Sequence, residues 1–307
     1  MAFIDAHRTK ESGGLRWGVE PICHVLEIAP STYYDAKSRP PSARAVRDAE
    51  LGPMLRILWE RNYSVYGRRK LTKAARRAGL DVGRDQVERL MRAGGIRGAS
   101  RAKKRFTTKA DPAAVRAPDL VNRNFTAAAP NEKWVADFTY CSTWSGIVYI
   151  AFVIDVYSRR IVGWKAARTM QASLVIDALN MAAWTRRGAA IDGVVCHSDA
   201  GSQYTSIAYT DRLADIGAAP SIGTIGDSYD NAMAETTIGL FKTELHRNPA
   251  ALARNAGPWR SLDDLEIATC AWVSWFNDER LHGELDDRTP AEVEDDYYRR
   301  QSQRDAA

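Results

Sequence analysis

Residues 134–140 read Trp134-Val135-Ala136-Asp137-Phe138-Thr139-Tyr140, and the fold turns on this stretch. Aromatic and β-branched residues run on to Thr143 without a helical period, which predicts a strand. Two further strands follow at Ile147–Tyr157 and Arg160–Thr169, with Ser145-Gly146 and Ser158-Arg159 at the turns. Working outward toward the C-terminus, the pattern changes. A helix is expected over Ser173–Arg187, a buried strand over Val194–Asp199, a helix over Ser206–Ile216 and a short strand near Pro220–Ile222. Asn231–His246 reads as one long helix, and Leu262–Arg280 as a Trp-rich helix whose Trp272, Trp275 and Phe276 belong to a core. Three antiparallel strands followed by strands alternating with helices predict an α/β fold, a mixed sheet flanked by helices.

Toward the N-terminus, 106–130 reads as an Ala- and Pro-bearing linker, preceded by the basic cluster Arg101–Arg105. Helices are expected over Tyr66–Arg77 and Arg84–Arg92, joined at Gly79 and stopped by Gly94-Gly95. Such a pair fits a helix-turn-helix, in which the second helix reads the major groove. Val87, Leu90 and Met91 would pack inward, leaving Arg84, Gln86, Arg89 and Arg92 for DNA. A small helical bundle with a basic rim fits the same pattern. Further back, Leu51–Trp59 reads as an amphipathic helix and Ser38–Ser42 as a linker. Pro30 is expected to break the helical pattern that precedes it, and Ser31 to cap a second short helix through Tyr34. Val19–Leu26 reads as a helix with Val19, Ile22, Cys23 and Leu26 on one face. The organisation expected is thus 1–48 helical segment, 49–105 DNA-binding segment, 106–130 linker, 131–295 core and 296–307 tail.

The chain has 307 residues and a net charge of +5. Residues 1–130 hold 26 Lys/Arg against 13 Asp/Glu, whereas 131–307 carry a net charge of −8. An excess of cations over more than a hundred residues favours a polyanionic partner, because each contact with a phosphate releases condensed counterions. The longest apolar run, Ile147–Ile154, is far shorter than the ~20 residues a membrane span needs. The start has no apolar signal segment. Four scattered cysteines (Cys23, Cys141, Cys196, Cys270) without a CxxC pair suit a reducing, cytoplasmic setting.

Three acids invite chemistry. Asp137 lies inside a strand, where a charge is costly unless paired or bound to a cation. Asp199 closes the strand Val194–Asp199, before the loop Ala200-Gly201-Ser202-Gln203-Tyr204, and ligand sites on α/β sheets favour such strand ends. Glu235 sits on the helix 231–246, whose Ala234, Ile238, Phe241 and Leu245 form the natural core stripe. Asn231, Glu235 and Lys242 cluster beside that stripe. Phosphodiester cleavage needs an activated oxygen nucleophile and a stabilised leaving oxygen, and two Mg²⁺ ions about 3.5–4 Å apart supply both. Mg²⁺ accepts a few carboxylates plus substrate phosphate. Without metal the three acids would repel one another. Asp155 is assigned a structural place at a strand end, His197 a packing one, and Val135 and Thr139 share the Asp137 face.

The surrounding text resembles the integrase catalytic core of DDE transposases. The motifs are Trp134–Thr139, Val153–Trp164, His197–Tyr204 and Asp230–Glu235. Thirty-five residues separate Asp199 from Glu235, and Lys242 stands seven after the Glu. Trp275-Phe276-Asn277, Arg280, His282 and Thr289-Pro290 resemble the C-terminal signature of that core. Gly18–Cys23, Ser31–Tyr34, Tyr66–Arg69 and Arg89–Met91 with Gly95-Ile96 resemble the second reading-frame product (OrfB) of two-frame bacterial insertion sequences, the IS-three family. The resemblance covers residues 16–292.

What the resemblance implies is a ribonuclease-H-like core in which Asp137, Asp199 and Glu235 are both catalytic and metal ligands, with two Mg²⁺ ions replaceable by Mn²⁺. It implies 3′-end cleavage and strand transfer on double-stranded DNA, an OrfA-type partner or frameshift fusion, and a homo-oligomer in a synaptic complex. Lys242 and Asn231 at the core, with Arg68, Arg69, Lys70, Arg84, Gln86, Arg89, Arg92, Lys103, Lys104 and Arg105 before it, are the candidate DNA contacts. Ala200 stands where many relatives carry a basic residue. His7, Cys23 and His24 lack the spacing of a zinc module. An inactive DNA-binding regulator, a nuclease that only hydrolyses and a helical scaffold remain as alternatives.

Overall fold

The computed structural model describes residues 1–100, 119–121, 125–189, 191–223 and 231–306. They form two units, Met1–Met54 and Leu55–Ala307.

In the first unit, helix α1 (Ala2–His7) leads into a hairpin of two-residue strands, β1 (Glu11–Ser12) and β2 (Leu15–Arg16). Helices α2 (Val19–Val25) and α3 (Pro30–Ser38) follow. Ile4, Val19, Ile22, Cys23 and Tyr33 make its core. The expected periodicity of α2 therefore holds. α2 and α3 are separate helices as expected, and Pro30 occupies the first position of α3, where its missing N–H is no loss. Ala29, not Ser31, precedes the helix as its N-cap, and the helix continues four residues past Tyr34. Helix α4 (Ala43–Arg61) begins eight residues before the expected Leu51. Ser42 Oγ accepts the Ala45 N–H at 3.2 Å and starts it.

The second unit takes in α4 from Leu55 onward and continues with α5 (Arg68–Arg77) and α6 (Arg84–Ala93). Leu71 and Ala75 on α5 and Val87, Leu90 and Met91 on α6 are buried, the inward set expected for α6. Then comes a five-stranded sheet: β3 (Lys133–Thr143), β4 (Gly146–Asp155), β5 (Ile161–Ala167), β6 (Val195–Ser198) and β7 (Ala219–Ile222). Its order is β5-β4-β3-β6-β7. β3, β4 and β5 are antiparallel, while β6 and β7 run parallel to β3. Helices α7 (Ala172–Thr185) and α8 (Ile207–Asp215) connect them. This is the mixed sheet flanked by helices that the sequence predicts.

Strand alternation divides the core in two. Trp134, Ala136, Ala151 and Val153 pack with Leu174, Val175, Ala178, Leu179 and Leu213 of α7 and α8. Contact between β5 and α7 is so close that a Cβ on Gly163 would lie 2.1 Å from Ala178 O and 2.7 Å from Ala182 N. The opposite face carries Phe152. Its ring meets Phe241 at 5.2 Å and Trp272 at 6.3 Å, from α9 (Ala232–Phe241) and a later helix. Phe241 ends α9, and Lys242–His246 forms a π-helical turn, so the single helix expected over 231–246 changes pitch at Lys242. The stripe Ala234, Ile238, Phe241, Leu245 is buried as expected.

After α10 (Pro249–Arg254), α11 (Leu262–Asp278) brings Trp272, Trp275 and Phe276 into the core. A final helix, α12 (Pro290–Asp305), starts with a Thr289/Glu292 capping box. Its buried Glu294 accepts Ser158 Oγ at 2.7 Å and Arg186 at 3.0 Å. Asp155, at the end of β4, joins this cluster. Its oxygens accept Asn131 N at 2.7 Å and Ser158 N at 3.0 Å, the structural place expected for it.

Candidate active site

Sheet register sets the first two acids side by side. β3 and β6 are parallel, with Ala136 opposite Ser198. Asp137 and Asp199 are the next residue on each chain, so they share one face at neighbouring positions, strands about 4.8 Å apart. The Asp137 carboxylate accepts Phe138 N at 2.8 Å, and the Asp199 carboxylate accepts Gly201 N at 3.1 Å. The loop is tight here, since a Cβ on Gly201 would lie 3.0 Å from Asp199 Oδ1.

The third acid arrives through Asn231. This residue is 7% exposed and its Nδ2 donates to Ala136 O at 3.0 Å, immediately before Asp137. Glu235 N in turn donates to Asn231 O at 3.0 Å. Glu235 therefore lies one turn along the helix face that Asn231 fastens to β3. Asn231 Oδ1 is buried and has no partner among the described residues.

Electrostatics register the crowding. Burial first, then the charge of Asp199 and that of Glu235, hold the Asp137 carboxyl well above the ordinary carboxylate range. Burial and Glu235 raise Asp199. The phenol of Tyr204 lies buried between Phe138 and Tyr209, without a hydrogen-bond partner among the described residues. Burial, then the nearby Asp137, pushes it well above its usual range. Among the described residues no three acidic, His or Cys side chains form a ready-made metal cage. The donor set nonetheless suits hard divalent cations: three carboxylates, one inside β3, one just past β6 and one on α9, with oxygen ligands only. His197, two residues before Asp199, is buried, its Nδ1 2.9 Å from Ser221 Oγ.

Lys242 heads the π-turn. Its ammonium lies 4.9 Å from the centre of the Tyr140 ring, and its pKa is lowered, by burial first. Tyr140 went unremarked in the sequence. The available signal was an aromatic on the strand of Asp137, at a position of opposite parity, where alternation alone assigns it to the other face.

The remaining candidate DNA contacts are placed as follows. Arg68 pairs with Glu88, Arg69 with Asp287 at 3.5 Å, and Lys70 is partly buried with its ammonium 5.6 Å from the Tyr66 ring centre. Burial takes Lys70 down to about 8. α5 thus turns much of its charge to the acidic loop before α12, where Lys73 also meets Asp287 at 3.7 Å. On α6, Arg84 and Arg92 are exposed and pair with Asp85 and Glu88, while Gln86 and Arg89 are half-buried. Lys103, Lys104 and Arg105 lie outside the described residues.

Comparison with known proteins agrees with this architecture. Two integrase core domain models match residues 127–228 and 216–290, and an HTH-like domain model matches 46–104. The chain is 50% identical to a putative transposase for insertion sequence element IS986/IS6110 of Mycobacterium tuberculosis, covering 92% of this chain and 100% of that one. It is 45% identical to the transposase for insertion sequence element IS629 of Shigella sonnei, over 92% and 93%. Among solved structures, the HTLV-2 integrase catalytic core domain in complex with magnesium is similar, at 15% identity and a TM-score of 0.43, over 54% of this chain and 98% of that one. The fold and site define an integrase-type core behind a helical, HTH-like segment. The chain belongs to the IS-three family of bacterial insertion-sequence transposases.

Proposed function

We propose that this transposase is a DDE-type polynucleotidyl transferase that cleaves the 3′ ends of its element and joins them to target DNA. The observation that carries the reading is the register of β3 against β6, which sets Asp137 beside Asp199 while Asn231 fastens the Glu235 helix to the same strand.

Asp137, Asp199 and Glu235 would hold Mg²⁺ or Mn²⁺, and such ions, when bound, ready an oxygen nucleophile and stabilise a leaving 3′ oxygen. The rest belongs to the chain. Asp137 feels the charges of both Asp199 and Glu235. Asn231 positions Glu235. Lys242 presents a cation to the phosphates of the reacting strand. Buried Tyr204 packs against half-buried Phe138, the residue that follows Asp137. No side-chain nucleophile is required, because water and then the freed 3′-OH attack phosphorus directly.

In this scheme residues 49–105 bind element DNA, 131–295 form the catalytic core, and at least two protomers meet because two ends must be joined. An OrfA-type protein is the expected partner, and the cytoplasm, where bacterial DNA lies, the place of action. Among the described residues no helix is long and apolar enough to cross a membrane. The test is Glu235→Gln with Mg²⁺ and an oligonucleotide carrying the element end. Cleavage and joining should fall by about 10³-fold or more with duplex binding retained. Cleavage at the wild-type rate overturns the reading, as does wild-type nicking without joined product.

A further inference from the structure

Beyond Ala136, β3 loses its β6 neighbour and pairs with β4 alone among the described strands. The π-turn Lys242–His246 sits against this part of the strand, with His246 Nε2 3.2 Å from Ser142 O. It is held from behind as well. Buried Arg280 grips Glu244 of the turn with two hydrogen bonds, Nε to Oε2 at 2.8 Å and Nη2 to Oε1 at 2.6 Å. Asn248 Nδ2 donates to Glu244 O at 2.8 Å. π-turns inside helices are rare and gather at functional sites. This one begins at the residue whose ammonium faces the Tyr140 ring.

Tyr140 is 53% exposed despite its place on the central strand. Trp144, four residues on, is 77% exposed. Its backbone is nonetheless fixed, because Trp144 N donates to Trp259 O at 2.9 Å and Ser145 N to Arg260 O at 3.0 Å. Two large aromatics on rigid backbone, one carrying a lysine over its ring, begin three residues from Asp137. Exposed aromatics alternating with cations are the chemistry that holds unpaired bases, each of which offers a face for stacking.

We propose that Tyr140, with Lys242 across its ring and Trp144 in the turn just past β3, forms a stacking platform for unpaired nucleobases of the DNA strand presented to the three acids. The platform rests on the reading that these acids act on DNA. Its occupant is a frayed or displaced single strand rather than intact duplex, whose bases are already stacked on one another.

The test compares binding of the full-length protein to a blunt duplex and to a forked duplex of the same sequence whose last pairs are mismatched, with Ca²⁺ in place of Mg²⁺. Wild type should prefer the fork by about tenfold, equivalent to about 1.4 kcal/mol. Tyr140→Ala should bring the two affinities level with blunt-duplex affinity unchanged, and Tyr140→Phe should keep the preference. Trp144→Ala should reduce it. Glu235→Gln, which the catalytic reading expects to block cleavage, should keep the fork preference. A fork preference in Ca²⁺ together with no cleavage by wild type in a parallel Mg²⁺ assay overturns the catalytic reading and leaves the platform standing. Cleavage with equal affinity for both duplexes overturns the platform alone. So does a fork preference unmoved by Tyr140→Ala, parallel loss of both duplexes, or a shift in oligomeric state showing the aromatics to be a contact between copies.

Discussion

The side-chain amide of Asn277 closes both backbone groups of Ile161: its Oδ1 accepts Ile161 N–H at 2.9 Å and its Nδ2 donates to Ile161 O at 2.9 Å. Ile161 begins β5, an edge strand of the sheet. At this point the β4–β5 register shifts between Val153 and Ile154. An edge needs its polar groups satisfied where α11 covers it, and one amide does so as a neighbouring strand would.

Asn277 is 6% exposed, so its loss leaves two backbone groups without partners in a dry place. Asn277→Ala should destabilise the protein by about 2 kcal/mol, and Asn277→Asp by more, because a carboxylate would then face Ile161 O. Urea midpoints at constant slope measure both. A midpoint unchanged in Asn277→Asp would contradict the account.

Gly163 makes a second structural prediction. The atoms a new Cβ would meet, Ala178 O and Ala182 N, are helix backbone and cannot turn aside as a side-chain tip can. Gly163→Ala should force β5 and α7 apart at a cost of about 1–3 kcal/mol. Gly188, with nothing within 4 Å of its Cβ position, is the control, and Gly188→Ala should change stability by less than about 0.5 kcal/mol. Equal melting temperatures for the two variants would rule the explanation out.

The strands from Trp134 to Ala167 were legible because period-two patterning and turn residues are local signals. The same holds for the buried stripe of α9 and for Trp272 and Phe276. The π-turn was not, since Lys242–His246 changes pitch through Arg280 and Ser142, both distant in sequence. The first half of α4 escaped because residues 43–50 bury nothing and so carry no period. The three acids were legible as types and spacings, but their meeting depends on the parallel pairing of β3 with β6. Lys70 looked like a surface cation in the sequence, and only the packing of Tyr66 and Arg280 around it shows otherwise.

Asn231 offers a test of positioning apart from turnover. If its bond to Ala136 O sets Glu235 against Asp137, Asn231→Ala should loosen the acids without removing any. Mn²⁺ affinity, followed by electron paramagnetic resonance, should fall about 10–100-fold. Glu235→Gln should lose comparable affinity, and the double variant little more than either alone, as residues acting through one another do. Duplex affinity in Ca²⁺ should not move. A fall in duplex affinity with Mn²⁺ binding intact would make Asn231 a DNA contact instead.

The last prediction concerns pH. His282 is buried, with Nε2 3.1 Å from Phe276 O and Nδ1 3.3 Å from Arg280 Nη1. The neutral ring with its proton on Nε2 satisfies both, donating to the carbonyl and accepting from the guanidinium. Burial, then the adjacent Arg280, takes the imidazole from 6.5 down to about 2. Below pH 6.5 the unfolded chain therefore binds a proton that the folded chain refuses until about pH 2. Stability is full above the unfolded value and drains away as pH falls, by about 2 kcal/mol at pH 5 from this group alone. His282→Gln keeps a donor and an acceptor but does not titrate. Its stability should be lower than wild type at neutral pH yet decline less steeply between about pH 7 and pH 4. Parallel acid limbs for the two proteins would show that His282 is protonated within the fold, which the Arg280 contact forbids.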